Sequence, residues 1–166
     1  IMSSDWSSDV CSSDLGIFRF FGQLADKEAG EIVASPVPNT TSRVVREPVG
    51  VAAQISPWNY PLLQASWKIA PALAAGCTIV MKPSEQTPLT TIRITELAEE
   101  VGFPKGVVNL VLGPGATVGA EMTRHAGVDM VSFTGGIVTG KKILKEASET
   151  VKKVALELGG KNPNLV

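Results

Sequence analysis

The sequence is poor in the side chains that bind metals, form disulfides or build histidine-based catalytic sites. Its 166 residues include one histidine, His125, and two cysteines, Cys11 and Cys77. A histidine triad and a metal centre with several histidine ligands are therefore disfavoured, and we expect no metal site. Two cysteines without a framework spacing predict a reducing, cytoplasmic setting.

Long apolar runs and an excess of one charge are also missing. Fifteen basic and 16 acidic residues leave a net charge of -1, so the composition favours neither nucleic acid nor an anionic membrane as a partner. No apolar run approaches the roughly 18 residues that a membrane span needs. A hydrophobic content of 44% with 19% charged residues instead predicts one globular domain with its own core.

The first residues differ in character from the rest. Residues 3–14 read SSDWSSDVCSSD, a threefold Ser-Ser-Asp repeat with no helical or strand period. We interpret residues 1–15 as a foreign or disordered leader and assign Cys11 no role. Residues 16–49 are predicted to lead into the domain through a short helix and an edge strand, at 17–29 and 43–48 respectively.

From residue 50 onward, five short apolar runs alternate with helical patterns. The runs are GVAAQI, CTIVMK, VVNLV, DMVSF and KVALEL, and the helices are predicted at 62–75, 89–101, 116–126 and 139–150. This alternation predicts an α/β fold with a doubly wound, Rossmann-like parallel sheet over residues 50–166. Gly76 and Gly102 are expected to end helices in the left-handed conformation, and Pro71 to bend the first helix.

In such a sheet, ligands bind beyond the carboxyl ends of the strands. The loops at these ends read SPWNYP, KPSEQTP, GPGATVG, TGGIVTG and ELGGKN. They contain most of the unusual residues of the chain, so we expect them to form one site along one edge of the sheet.

Three polar side chains in or near these loops suit acid–base and oxyanion chemistry. Asn59 lies between two prolines, which favours a rigid amide able to stabilise an oxyanion. Glu157 ends an apolar strand, where burial would raise its pKa and make it a general base; a salt bridge to Lys161 or an outward orientation is the alternative. Lys68 either reaches the site or extends along the surface.

Other strand-end residues suit a dinucleotide. Glu85 and Lys82 form either a ribose clamp, whose carboxylate repels a 2′-phosphate, or a solvated ion pair. The glycines at 113–119 and 135–140 depart from G-x-G-x-x-G, yet they allow backbone to approach a pyrophosphate. Tight turns and helix caps are the alternative for both loops.

Taken together, PWNYP, KIAPALAAGCTIVMKPSEQTPLT, GPGATVG, SFTGG and LELGGKNP resemble the aldehyde dehydrogenase superfamily, in its order and spacing, over residues 17–166. The residues around PWNYP are most similar to those of the betaine-aldehyde dehydrogenases within this superfamily. The resemblance implies oxidation of an aldehyde to a carboxylic acid with NAD, with betaine aldehyde as the candidate substrate and NADP less favoured than NAD. It also implies that the full-length protein is a homodimer or homotetramer.

The resemblance assigns roles by position. Asn59 becomes the oxyanion donor, Glu157 the base for the hydrolytic step, and Lys68 a residue that tunes the charge of the active site. The positions implied at the coenzyme are Ile55, Ser56, Pro57, Trp58, Lys82, Ser84, Glu85, Gly115, Gly119, Phe133, Thr134, Gly135, Gly136, Thr139 and Leu158.

The resemblance also implies a cysteine nucleophile beyond LELGGK. The chain stops at Val166, and Cys77 is predicted at the end of a buried strand opposite the loops, where a cysteine is inert. We therefore expect a fragment that is inactive by itself. A stand-alone nucleotide-binding or scaffold module without catalysis is the alternative; a kinase-like phosphate binder is disfavoured because no Gly-Lys-Ser/Thr loop exists.

Overall fold

Parallel strands at the centre and helices on both faces define the architecture, seen in a computed structural model that describes residues 5–27 and 30–160. Five helices are described: α1 (Asp5–Leu24), α2 (Pro61–Ala74), α3 (Leu89–Glu100), α4 (Ala120–Arg124) and α5 (Ile137–Ser148). The strands are β1 (Glu31–Val33), β2 (Ser42–Val44), β3 (Val51–Ile55), β4 (Thr78–Lys82), β5 (Val108–Leu110), β6 (Met130–Gly135) and β7 (Lys153–Leu158). A π-helical turn, Gly115–Gly119, precedes α4.

The order of strands in the main sheet is β5-β4-β3-β6-β7, and all neighbours are parallel. The chain enters the main sheet at the central strand, β3, and adds β4 and β5 on one side. It then crosses over and adds β6 and β7 on the other side. Such a reversal leaves a crevice beyond the carboxyl ends of the two strands that flank it, here β3 and β6. The doubly wound parallel sheet predicted from the sequence is confirmed.

Apolar side chains from the two faces of the sheet form two separate clusters. Ala53, Val131 and Phe133 pack with Met122 and Ile143 of α4 and α5. On the opposite face, residues of β3 and β4 pack with α2 and with partly buried residues of α1 and α3; the buried members are Ala52, Ala65, Ile69, Ile79 and Met81. Neighbouring residues such as Ala52 and Ala53 serve opposite faces because side chains alternate along a strand.

Most predicted elements after residue 50 lie within three residues of their observed bounds. Gly76 and Gly102 have φ values of 76° and 91°, as expected for residues that end helices. The prediction of one continuous helix at 116–126 was wrong, because this segment is divided between the π-helical turn and α4. Pro71 lies inside α2 without ending it.

The segment before residue 50 differs from expectation. One helix, α1, covers most of the predicted leader and ends at Leu24 rather than at residue 29. The strand predicted at 43–48 is shorter; β2 pairs with β1 in an exposed antiparallel ribbon. The proposed domain boundaries at residues 15 and 49 remain predictions. Within the described ranges, no helix combines the length and apolarity needed to cross a membrane.

Candidate active site

A cleft of about 900 Å³ opens at the carboxyl ends of β3, β6 and β7. We call it the Asn59 cleft. Its lining residues are Pro57, Trp58, Asn59, Gln64, Trp67, Lys68, Ser132, Thr134, Gly135, Gly136, Ala155, Glu157, Leu158 and Gly159. The strand-end loops after β3, β6 and β7 therefore meet as predicted, and they bring the three candidate catalytic side chains to one cleft.

The loop that carries Asn59 is fixed to its surroundings on both sides. The Ser56 amide donates to the carbonyl of Lys82 at 3.1 Å, and the Thr87 hydroxyl donates to the carbonyl of Trp58 at 3.1 Å. Tyr60 then adopts a left-handed conformation (φ 48°) immediately before α2 begins at Pro61. The exposed Asn59 amide thus lies on a loop restrained by the neighbouring strand end and by the start of a helix.

Lys68 lies in the floor of the cleft, not along the outer surface. Its side chain is buried, its carbonyl accepts from the Gln54 amide at 2.7 Å, and its ammonium donates to the Ser132 hydroxyl at 3.0 Å. Burial lowers the pKa of Lys68 to about 8, and the negative charge of Glu157 acts in the opposite direction. The alternative of a lysine extended along the surface is wrong.

Glu157 reaches the cleft but is exposed, so the expectation that β7 buries it is wrong. The physical reason is the strand order: among the strands that the structure describes, β7 is the last of the sheet and has β6 as its one partner. Glu157 lies opposite Thr134 in the β6–β7 register. Its alternative partner from the sequence, Lys161, lies outside the described residues.

A second, smaller cavity of about 320 Å³ lies on the other side of the β3–β6 crevice, between the π-helical turn, α4 and α5. We call it the glycine cavity. The lining residues are Ile55, Gly115, Ala116, Gly119, Ala120, Thr123, Phe133, Thr139, Lys142, Ile143 and Glu146. A Cβ atom on Gly115 would meet nothing within 4 Å, so this backbone is open to a ligand.

Lys82 and Glu85 join the end of β4 to the glycine loop. The buried Lys82 ammonium donates to the Glu85 carboxylate at 3.0 Å and to the Pro83 carbonyl at 3.1 Å. The hydrogen bond from Lys82 is the main reason that the pKa of Glu85 lies below its usual value, and the backbone N–H of Gly115 adds to this effect. Glu85 therefore carries a full negative charge at neutral pH, beside the glycine cavity.

Four predicted coenzyme residues line neither space: Lys82 and Glu85, whose ion pair is described above, and Ser56 and Ser84. Ser56 is buried. The hydroxyl of Ser84 accepts a hydrogen bond from the backbone N–H of Gln86 at 3.3 Å, within the same turn. Conversely, Trp67 and Ser132 of the Asn59 cleft, and Lys142 and Glu146 of the glycine cavity, were not predicted as site residues. The position of Trp67 beside Lys68 was an available signal, whereas Ser132 gave none beyond its place in a strand.

The two spaces offer complementary chemistry at one crevice. The Asn59 cleft combines an amide, a buried amine and a carboxylate, which can stabilise an oxyanion and accept a proton. The glycine cavity combines open backbone with an acid suited to ribose hydroxyls, which together fit a dinucleotide.

Comparison with known proteins gives consistent results. The family model described as Aldehyde dehydrogenase family matches residues 7–166. Betaine aldehyde dehydrogenase of Bacillus subtilis (strain 168) is 68% identical over 150 residues, covering 90% of this chain and 31% of that protein. Aldehyde dehydrogenase of Davidiella tassiana is 49% identical over 153 residues, covering 92% of this chain and 31% of that protein.

Solved structures show the same relationship. A crystal structure of betaine aldehyde dehydrogenase from Staphylococcus aureus, in complex with NAD+, has a TM-score of 0.93 and 62% identity, and the match covers 96% of this chain and 32% of that one. The chain thus spans about a third of the length of the relatives it matches.

Proposed function

Because the chain belongs to the aldehyde dehydrogenase family, we propose that it forms the coenzyme-binding third of an enzyme that oxidises an aldehyde to a carboxylic acid with NAD. The observation that carries the proposal is the meeting of Asn59, Lys68 and Glu157 in one cleft, beside a glycine-lined cavity at the strand-order reversal. A fold alone would not support a reaction, whereas this set of side chains does.

Asn59 and Glu157 serve different steps. A cysteine thiolate, supplied from outside the described residues, attacks the aldehyde carbon, and the Asn59 amide donates to the oxygen that becomes negative. Bound NAD accepts the hydride that leaves this carbon, so a thioester to the cysteine remains. Glu157 then takes a proton from water, and the water oxygen attacks the thioester carbon. The C–S bond breaks, the carboxylic acid leaves, and the proton passes from Glu157 to the cysteine thiolate.

Cys77 does not supply this nucleophile. It is buried next to the first residue of β4, whereas the Asn59 cleft lies at the carboxyl ends of the strands. A buried structural cysteine is inert. We therefore propose that the 166 residues do not oxidise aldehydes by themselves.

The coenzyme fits the glycine cavity through backbone and ribose contacts. The open backbone of Gly115 and the buried Gly119 allow phosphate oxygens to approach the start of the π-helical turn and α4. Glu85 accepts from ribose hydroxyls, with Lys82 holding the carboxylate in place. Because Glu85 is negative at neutral pH, it favours NAD over NADP.

The aromatic residues of the Asn59 cleft support betaine aldehyde as the substrate. Trp58 and Trp67 both line the cleft and are largely exposed. The faces of tryptophan rings attract quaternary ammonium groups. Two of the similar proteins described above are betaine aldehyde dehydrogenases, which agrees with this substrate class.

We also propose that the complete protein is a cytoplasmic homodimer or homotetramer. The β1–β2 ribbon is exposed on both strands and presents Ile32, Val33 and Val44 to solvent. Unpaired strand edges and exposed apolar side chains are usually covered in an assembled protein. A second copy of the chain is the partner that this proposal names.

A chimera tests the proposal. This chain's matching 150 residues replace those of the Bacillus subtilis relative, and the product is assayed for betaine aldehyde oxidation with NAD. We expect activity, and we expect Asn59→Ala to lower kcat by roughly 10²-fold with little change in coenzyme affinity. Gln23→Ala, which removes an amide from exposed α1 surface, is the control. Lost NAD affinity with intact kcat in Asn59→Ala would contradict the assignment.

A further inference from the structure

The position of the Lys68 side chain is determined by two strands. Gln54, in the middle of the sheet, donates its side-chain amide to the Lys68 carbonyl at 2.7 Å and so fixes this turn of α2 above β3. Ser132, one strand over, accepts from the Lys68 ammonium at 3.0 Å. Gln54 and Ser132 are direct neighbours in the β3–β6 register, so both restraints come from the same level of the sheet.

The cleft offers the ammonium a second, competing partner. The residues that line the cleft together with Lys68 include Asn59 from the loop, Gln64 and Trp67 from α2, Ser132 and Thr134 from β6, and Ala155 and Glu157 from β7, and Gln54 of β3 contacts the Lys68 carbonyl. Among these described residues Glu157 is the charged one. It influences Lys68 through its charge, but the two side chains form no ion pair in the structure.

We propose that Ser132 is a positioning residue that holds the Lys68 ammonium in the floor of the Asn59 cleft and so prevents it from pairing with Glu157. A buried ammonium needs a hydrogen-bond acceptor, and the Ser132 hydroxyl provides one that carries no charge. Without it, the flexible lysine side chain turns to the carboxylate that shares the cleft.

The consequence for the reaction rests on the proposed function. A carboxylate that is paired with an ammonium is a weaker base, because the pair stabilises the charged form. By keeping Lys68 on β6, Ser132 leaves Glu157 able to take a proton from water.

The experiment measures the coupling between Lys68 and Glu157 in the 166-residue chain itself. Lysine labelled with ¹³C at Cε is incorporated, the Lys68 signal is assigned by its loss in Lys68→Arg, and its titration is followed by NMR. The pKa of Lys68 is compared with and without Glu157→Gln, first in the native background and then in Ser132→Ala. Ser148→Ala, which removes a hydroxyl that donates to a backbone carbonyl at the end of α5, is the matched control.

We expect Glu157→Gln to lower the pKa of Lys68 by roughly one pH unit or more in the Ser132→Ala background, the scale for a close opposite charge. In the native and Ser148→Ala backgrounds, the shift should be less than half as large. Ser132→Thr retains the hydroxyl and should restore the small shift. Ser132→Cys, a weak acceptor of similar size, gives a second folded variant if Ser132→Ala is unstable, and it should behave like Ser132→Ala.

Equal effects of Glu157→Gln in every background would overturn the proposal. The proposal would also be overturned if Glu157→Gln shifted the pKa of Lys68 equally in the Ser132→Thr and Ser132→Ala backgrounds. The titration needs neither aldehyde nor coenzyme, so these outcomes are distinct from a failure of the proposed function, which would appear as an inactive chimera with the titration result unchanged.

Discussion

Replacing Glu85 with glutamine should narrow the preference for NAD over NADP. Glu85 lies beside the glycine cavity, paired with the Lys82 ammonium at 3.0 Å, and its side chain is 53% exposed. A 2′-phosphate bound at the ribose position would lie close to this carboxylate. Glutamine preserves the shape of the side chain and its ability to accept from Lys82, but it removes the negative charge.

The exposure of Glu85 sets the size of the effect. At a half-exposed position, solvent screening is close to that of bulk water, where two unit charges 4 Å apart interact with about 1 kcal/mol. A phosphate monoester carries a charge of about -1.5 to -2 at neutral pH, so the repulsion is about 1.5 to 2 kcal/mol. This corresponds to a change of roughly 10- to 30-fold in the ratio of NAD to NADP efficiencies.

The assay compares kcat/KM for the two coenzymes in the chimera, at fixed ionic strength. Glu96→Gln is the control, since Glu96 forms an i,i+3 pair with Arg93 at the same 3.0 Å distance on the outer surface of α3. The control should leave the ratio unchanged. A preference for NADP in the unmodified chimera, or an equal effect of Glu96→Gln, would refute the clamp.

Two further predictions concern Lys68 and Cys77. The pKa of Lys68 is about 8 in the folded chain and near 10.5 in the unfolded chain. Between these two pH values the unfolded state binds the proton and the folded state does not. The free energy of unfolding should therefore rise from pH 8 to 10.5, by about 3 kcal/mol. The rise should be absent in Lys68→Met by denaturant titration; its persistence there would contradict the buried ammonium. The 166-residue chain should show no aldehyde oxidation above background. In the chimera, Cys77→Ala should leave kcat within a few fold of its value with Cys77 present. Aldehyde oxidation by the 166-residue chain as a monomer would refute the interpretation of Cys77 as an inert, buried cysteine.

The sequence predicted the sheet well because its strand signals are local. Short apolar runs covered on both faces, with Gly76 and Gly102 at helix ends, do not depend on how the strands are ordered. The rule that ligands bind at the carboxyl ends then placed Asn59 and Glu157 correctly in one cleft.

Properties that depend on strand order were not predictable in the same way. The exposure of Glu157 follows from the edge position of β7, which no pattern within KVALEL reveals. The contact between Lys68 and Ser132 joins residues 64 positions apart and depends on how α2 crosses β6. The π-helical turn at Gly115–Gly119 likewise has no period that separates it from an α-helix in a short segment.

If Asn59 and Glu157 share one cleft but serve successive steps, a stopped-flow measurement of NADH formation by the Glu157→Gln chimera should separate the two steps. Glutamine keeps the volume of the side chain and cannot accept the proton from water. At a pH above about 8.5, where the cysteine ionises without help, the first-turnover burst of NADH should remain. Steady turnover should fall by roughly 10²- to 10⁴-fold. A folded variant that has lost the burst at this pH, or one with unchanged turnover at every pH, would contradict the role of Glu157 as the base of the hydrolytic step.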